Sequence, residues 1–134
     1  MTMTSNTDQS DVQQLLNELG LPEDLDPEPF VRALTHRSFA NEKSLDYDNE
    51  RLEFLGDAVL DMIVAEYLYR TYPDLREGRL SKIKSAVVKT QTLTRIAREL
   101  DFDQHIRLSR GESQVKRGLN KVVADCLEAF IGAL

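Results

Sequence analysis

Residues 49–60 read NERLEFLGDAVL. Glu, Arg, Leu and Ala are strong helix formers, so the spacing predicts a helix here. At 100° per residue, Glu50, Glu53 and Asp57 gather within an arc of about 60°. Leu52, Leu55, Val59 and Met62 fall on roughly the opposite side. The helix is therefore expected to carry a carboxylate stripe and a core stripe. Like charges at these spacings repel by roughly a few tenths of a kcal/mol per exposed pair. Burying them costs more unless a cation compensates.

Outward from this stretch, the apolar pattern runs on to Tyr72, where Pro73 stops it; one long helix is expected from about Asn49 to Tyr72. Upstream, residues 1–10 are expected to form a disordered polar tail, leaving 11–134 as one domain. Ser10 with Gln13 resembles a capping box that opens a helix through DVQQLLNEL, closed by Gly20. LPEDLDPEP is a proline-rich connector, FVRALTHRSFA predicts a second helix, and NEKSLDYD a polar loop. Downstream, DLREGRLS is a turn. KIKSAVVK and TLTRIAREL predict two further helices, with Ile83, Val87, Leu93, Ile96, Ala97 and Leu100 at helical spacing. DFDQHIRLSRGESQVKRGLN reads as a short helix or turn plus a loop. A last helix is expected from near Lys121, and its apolar pattern is still running at Leu134, as in a truncated helix. No segment sustains period-two alternation, so the fold class is all-α: a helical bundle around a long central helix.

Composition narrows the function classes. A chain of 134 residues, 41% hydrophobic and 30% charged, reads as one soluble globular domain. MTMTSNTDQS has no apolar leader segment. The richest apolar run is broken by Asp57, Asp61 and Glu66, so no membrane span is expected. The single cysteine, Cys126, excludes an internal disulfide and points to a reducing compartment. A net charge of −6 argues, alone, against a nucleic-acid partner. That argument weakens where carboxylates recruit divalent cations.

The last helix offers a second acidic pair. Asp125 and Glu128, three apart, share a face amid Val122, Val123, Leu127, Phe130 and Ile131. If the two helices face each other, Glu53, Asp57, Asp125 and Glu128 form an all-oxygen site suited to Mg²⁺ or Mn²⁺. Metal-held water attacking a phosphodiester is the chemistry such a site offers. Ordinary solvated acid is the bland alternative. A di-iron helical bundle needs Glu-x-x-His pairs, and neither His36 nor His105 follows a glutamate by three.

The stretch ERLEFLGDA, residues 50–58, resembles the signature of the ribonuclease III family. The likeness extends to ALTHRSFANE, EGRLSKIKSAVV and ADCLEAFIGAL, and so covers about residues 11 to 134. It is closer to the full-length bacterial type than to the miniature type. The resemblance implies an all-α nuclease domain that cleaves double-stranded RNA with two Mg²⁺ ions, for which Mn²⁺ substitutes. It implies 5′-phosphate and 3′-hydroxyl ends, short 3′ overhangs, and processing of rRNA and other structured RNA. It further implies a cytoplasmic homodimer with the signature helices close together. Relatives usually add a double-stranded-RNA-binding domain after the nuclease domain, which the matched stretch does not include.

By the same resemblance, Glu53, Asp125 and Glu128 bind metal most directly, while Asp57 and Glu128 orient the ligands and the attacking water. Glu50 and Glu77 match accessory acids that border the cleft. Arg107, Arg110, Lys116 and Arg117 flank the last helix and are candidates for RNA phosphate contact, with solvated loop charge as the alternative. Gly56, costly inside a helix, fits close approach to a neighbouring subunit or packing within the chain. One departure stands out: bacterial members carry a glycine pair where this chain reads SQVKRGLNK. His36 and His105 read as structural, Cys126 as a buried thiol, and Tyr67, Tyr69 and Tyr72 as packing groups. A non-catalytic member that keeps the fold to bind RNA or protein is the rival reading; such members are expected to lose carboxylates, and all four stand here.

Overall fold

The computed structural model describes residues 6–113 and 116–134, with the side chains of 9–111 and 119–134. Among the described residues eight α-helices follow one another: α1 (Asn6–Glu18), α2 (Glu28–Ala33), α3 (Arg37–Glu42), α4 (Glu50–Thr71), α5 (Glu77–Val87), α6 (Thr90–Glu99), α7 (Arg110–Ser113) and α8 (Lys116–Ala133). A 3₁₀ turn, Phe102–Gln104, separates α6 from α7. Among the described residues the only extended pairing is an isolated parallel bridge between Thr35 and Arg107. The all-α class therefore holds.

Several boundaries differ from expectation; α5, for one, begins at Glu77, inside the DLREGRLS stretch expected to be a turn. Helix α1 begins at Asn6, so residues 6–10 are helical and Ser10 lies inside the helix instead of capping it. The expected second helix is split at residues 34–36. There the backbone turns to its neighbour: Arg107 N–H donates to Leu34 O at 2.8 Å, and His36 N–H donates to Arg107 O at 3.0 Å. His36 is extended and caps α3, its Nδ1 accepting from Ser38 N–H at 3.1 Å. Helix α8 starts at Lys116, a turn or more before Lys121. Gly20 closes the α1 segment as expected, at φ +74°.

The core is built around α8. Val123, Cys126, Ala129 and Phe130 meet Leu15 and Leu16 of α1, Phe30 and Val31 of α2, and Leu93 and Ala97 of α6. Phe130 holds Phe30 and Phe102 at ring-centroid distances of 4.8 Å each. Such aromatic pairs add about 0.5–1.5 kcal/mol beyond the area they bury.

Helix α4 behaves otherwise. Only Gly56 and Leu68 of its residues are buried. The expected core stripe is in fact largely open, with Leu55 49% and Met62 63% exposed. The helix meets α8 at close backbone approach, with Leu52 and Leu60 partly buried against the core. A Cβ on Gly56 would overlap the carbonyl oxygen of Glu128, and one on Gly132 the carbonyl oxygen of Leu52. Gly56 thus serves packing within the chain, where a side chain has no room. Tyr67, Tyr69 and Tyr72, expected to pack, are exposed at 61%, 75% and 43%.

Candidate active site

The glycine crossing sets two carboxylate pairs across one cavity. Gly56 precedes Asp57 and abuts the Glu128 carbonyl; Gly132 abuts the carbonyl of Leu52, which precedes Glu53. The cavity, about 720 Å³, is lined by Glu50, Glu53 and Asp57 from α4 and by Lys121, Asp125 and Glu128 from α8. His36, Arg37, Asn49 and Thr90 complete much of its wall.

The α4 end of the site is fixed by Asn49. Its side chain is buried, and Nδ2 donates to Ala33 O at 3.1 Å and to Cys126 Sγ at 3.3 Å. One buried amide thus ties α2, α4 and α8 together. Asp48 supplies the cap, its Oδ1 accepting from Glu50 N–H at 3.0 Å.

Crowded carboxylates hold protons tightly. The Glu128 carboxyl is pushed up to about 8, first by burial, then by its hydrogen bond to Asp57 and by the negative charges of Asp57, Asp125 and Glu53. Glu53 is raised as well, by burial and then by Asp125. The acids pair across the helix crossing, Glu53 with Asp125 and Asp57 with Glu128. Lys121 adds the local positive charge, its Nζ 2.8 Å from Asp125 Oδ2. Its ammonium is raised by that hydrogen bond and by the charge of Asp125.

Among the described residues, no three acidic, imidazole or thiol groups converge as ready ligands for one ion. The donor chemistry nevertheless fits a hard divalent cation: five carboxylates line one cavity, Glu50, Glu53, Asp57, Asp125 and Glu128, with no soft ligand on its wall. The raised proton affinity of Glu53 and Glu128 comes first from burial and then from the neighbouring carboxylates.

The remaining candidates are distributed differently. Glu50 lies on the cavity wall and pairs with Arg37 at 3.4 Å. Glu77 is not on that wall; at the start of α5 it accepts a hydrogen bond from Ser81 Oγ at 2.9 Å. Arg107 turns inward, donating to Thr35 Oγ1 at 3.1 Å and Tyr47 OH at 3.2 Å and stacking over Phe39 at 4.4 Å. Its guanidinium is engaged within the chain, against Thr35, Tyr47 and Phe39. Arg110 is exposed, and its N–H donates to Glu42 Oε2 at 3.3 Å. The side chains of Lys116 and Arg117 lie outside the described ones, as do those of the whole SQVKRG stretch. Cys126 is fully buried and its thiol is pushed up by desolvation, which leaves it inert. His105 pairs with Asp11 at 2.9 Å, a structural tie.

A family profile described as Ribonuclease-III-like matches residues 26–134. The chain belongs to the ribonuclease-III-like family. It is 45% identical to a Ribonuclease 3 of Thermobifida fusca over 126 residues, 93% of this chain and 52% of that protein. It is 51% identical to a Ribonuclease 3 of Streptomyces coelicolor over 105 residues, 78% of this chain and 38% of that protein. The chain thus spans about half or less of the length of these relatives. Among solved structures, the nuclease domain of a ribonuclease III from Campylobacter jejuni superposes with a TM-score of 0.81 at 39% identity, covering 91% of this chain and 82% of that one. A Dicer from Pichia stipitis gives 0.62 at 35% identity, over 84% of this chain and 47% of that one. The ribonuclease-III-like match takes in both helices of the cavity, α4 and α8.

Proposed function

We propose that the chain is the nuclease domain of an endoribonuclease that hydrolyses double-stranded RNA. The observation that carries this reading is the meeting of Glu53, Asp57, Asp125 and Glu128 from two helices in one cavity. Mg²⁺, or Mn²⁺ in its place, would be held by Glu53, Asp125 and Glu128, with Asp57 placing the Glu128 carboxyl. When bound, such cations lower the proton affinity of water and offset charge on a phosphodiester. The chain's own residues do the rest: Glu128 and Asp57 position donors, Arg37 holds Glu50 at the rim, and Asn49 fixes the helix that carries the acids. Products with 5′-phosphate and 3′-hydroxyl ends and short 3′ overhangs, a cytoplasmic setting, and rRNA or other structured RNA as substrate follow from the same reading.

The active unit in this reading is a homodimer. Phe54, Leu55, Met62, Ile63 and Tyr67 leave one long helix with an apolar surface open to solvent. A cleft of about 1060 Å³ bordered by Leu45, Tyr47, Leu52 and Leu55 opens beside Phe54. A second copy related by a twofold axis covers this surface with its own. No described helix is long and apolar enough to cross a membrane.

The test is incubation of the purified protein with a long RNA duplex, with and without Mg²⁺. Metal-dependent cutting of duplex but not single-stranded RNA is expected. Duplex binding without cutting under any divalent cation would favour the non-catalytic reading.

A further inference from the structure

We propose that Asn49 supplies a neutral oxygen to this site: its Oδ1 accepts a hydrogen bond from a water in the shell of the divalent cation. The inference rests on the nuclease reading above. Asn49 is only 3% exposed, yet it lies on the wall of the carboxylate cavity. Its amide nitrogen carries two hydrogens, and both are spent: Nδ2 donates to Ala33 O at 3.1 Å and to Cys126 Sγ at 3.3 Å. A backbone carbonyl only accepts, so the nitrogen must face Ala33 and the amide oxygen must face away from it. Among the described residues nothing donates to Oδ1, which does not cap α4. The atom is not sealed from solvent either, so it opens to the cavity.

Contacts to both helices set that oxygen beside the acids. Asn49 O accepts from Glu53 N–H at 2.8 Å, which puts the two residues one helical turn apart. Cys126, which takes the second amide hydrogen, directly follows Asp125 on α8. Glu53 and Asp125 are hydrogen-bonded to each other across the crossing. Mg²⁺ gives up water reluctantly and is typically held by one or two carboxylates, with much of its shell left as water. Those waters need acceptors. Five carboxylates already crowd the cavity wall, and a further one would add repulsion. An amide oxygen adds lone pairs and no charge. Locked by Ala33 and Cys126, it stays aimed whether or not an ion is bound, as the outer partners of a metal site do.

The experiment must separate the oxygen from the tie that the same amide makes. RNA-free protein is titrated with Mn²⁺ by calorimetry, with thermal unfolding and circular dichroism as the fold check. Asn49→Ala removes both the oxygen and the tie, and is expected to bind Mn²⁺ about tenfold or more weakly, the scale for loss of an outer partner of a metal site. Asn49→Ser, too short to reach the cavity, is expected to do the same and serves where the alanine variant does not fold. Cys126→Ala breaks the tie to α8 but leaves Oδ1 in place; its melting temperature is expected to fall while its Mn²⁺ affinity stays at the parent's. Asn49→Asp keeps an oxygen at the position and is expected to bind Mn²⁺ more tightly than Asn49→Ala. A purely structural amide gives a different order, in which Asn49→Ala and Cys126→Ala weaken Mn²⁺ binding together or neither does. Either of those results overturns the proposal, as does an Asn49→Asp variant no tighter than Asn49→Ala, or an RNA-free parent that binds no Mn²⁺. A parent that binds Mn²⁺ but cuts no duplex in Mg²⁺ overturns the nuclease reading instead, and the titrations still decide the part played by Asn49.

Discussion

Gly56 of α4 and Gly132 of α8 bring two helix backbones together so closely that a Cβ on either would overlap main chain of the other. Backbone cannot rotate away as a side chain can. Gly56→Ala gains about 1 kcal/mol of helix propensity. Forcing the helices apart costs more, typically 1–3 kcal/mol and here at the upper end. The expected outcome is a lower melting temperature, by roughly 4–8 °C or more. The displacement also moves Glu128 relative to Asp57, so activity falls further than stability accounts for. Thermal unfolding by circular dichroism decides it; a melting temperature equal to or above the parent's would show that the crossing is loose.

The carboxylate cavity makes metal-free stability depend on pH. Glu128 in the folded protein is pushed up to about 8, above its ordinary value of 4.5, by burial and by Asp57. Glu53 moves the same way. A raised acid is protonated more readily in the folded than in the unfolded chain. Its contribution is therefore full below about pH 4.5 and is lost as pH rises through about 8. In chelator, the melting temperature is expected to fall between pH 5 and pH 8 by a few degrees (~3–6 °C, after allowing for solvent screening). Mg²⁺ or Mn²⁺ should restore it at pH 8 and do little at pH 5, since it binds the ionised, folded site. Glu128→Gln should flatten the profile. A parent profile flat from pH 5 to 8 would mean that the acids do not crowd one another.

Much of the site was legible because helical spacing is arithmetic. Glu53 and Asp57 share a face, as do Asp125 and Glu128, whatever surrounds them. What spacing cannot give is which apolar residues are covered within one chain. Leu55 and Met62 have the pattern of core residues, yet lie open on α4, because pattern alone does not distinguish a core face from a subunit face. The split at Thr35 depended on a partner 72 residues away, Arg107, that no local rule reveals. Asn49 was overlooked for the same reason. Its signal was weak but present: a polar amide at the start of the signature helix whose capping work is done by Asp48 instead. Lys121 was expected at the start of the last helix, one turn before Asp125, but spacing alone does not reveal its 2.8 Å ion pair with that carboxylate.

Phe54 tests the subunit face. It is 83% exposed, so within one chain it contributes little to the core. In the proposed twofold dimer the same ring would be buried, and burying a Phe is worth about 1.5–3 kcal/mol per copy. Phe54→Ser is expected to leave the helical content unchanged and to shift the protein to monomer at micromolar concentration. Sedimentation velocity across a dilution series measures this. A variant that sediments as the parent's dimer would place the interface elsewhere on the molecule.

Glu128→Gln separates chemistry from binding. The substitution keeps size and helix propensity, and removes one negative charge from the centre of the cavity. It also keeps a partner for Asp57, since an amide N–H can donate where a shared proton now sits. The fold is therefore expected to stand, with stability at pH 8 equal to or above the parent's. Cation binding needs the lost charge, and phosphodiester hydrolysis needs the cation held in place. Cleavage is expected to drop by about a hundredfold or more. Duplex affinity should stay within a few-fold of the parent's, or tighten, because a carboxylate makes no favourable contact with phosphate. Both quantities are measured on one purified variant in Mg²⁺. A folded Glu128→Gln that cuts at the parent's rate would remove Glu128 from the ligand set. Loss of cutting together with loss of duplex binding would instead make the residue a support for the RNA surface, because removing an anion does not weaken an RNA contact directly.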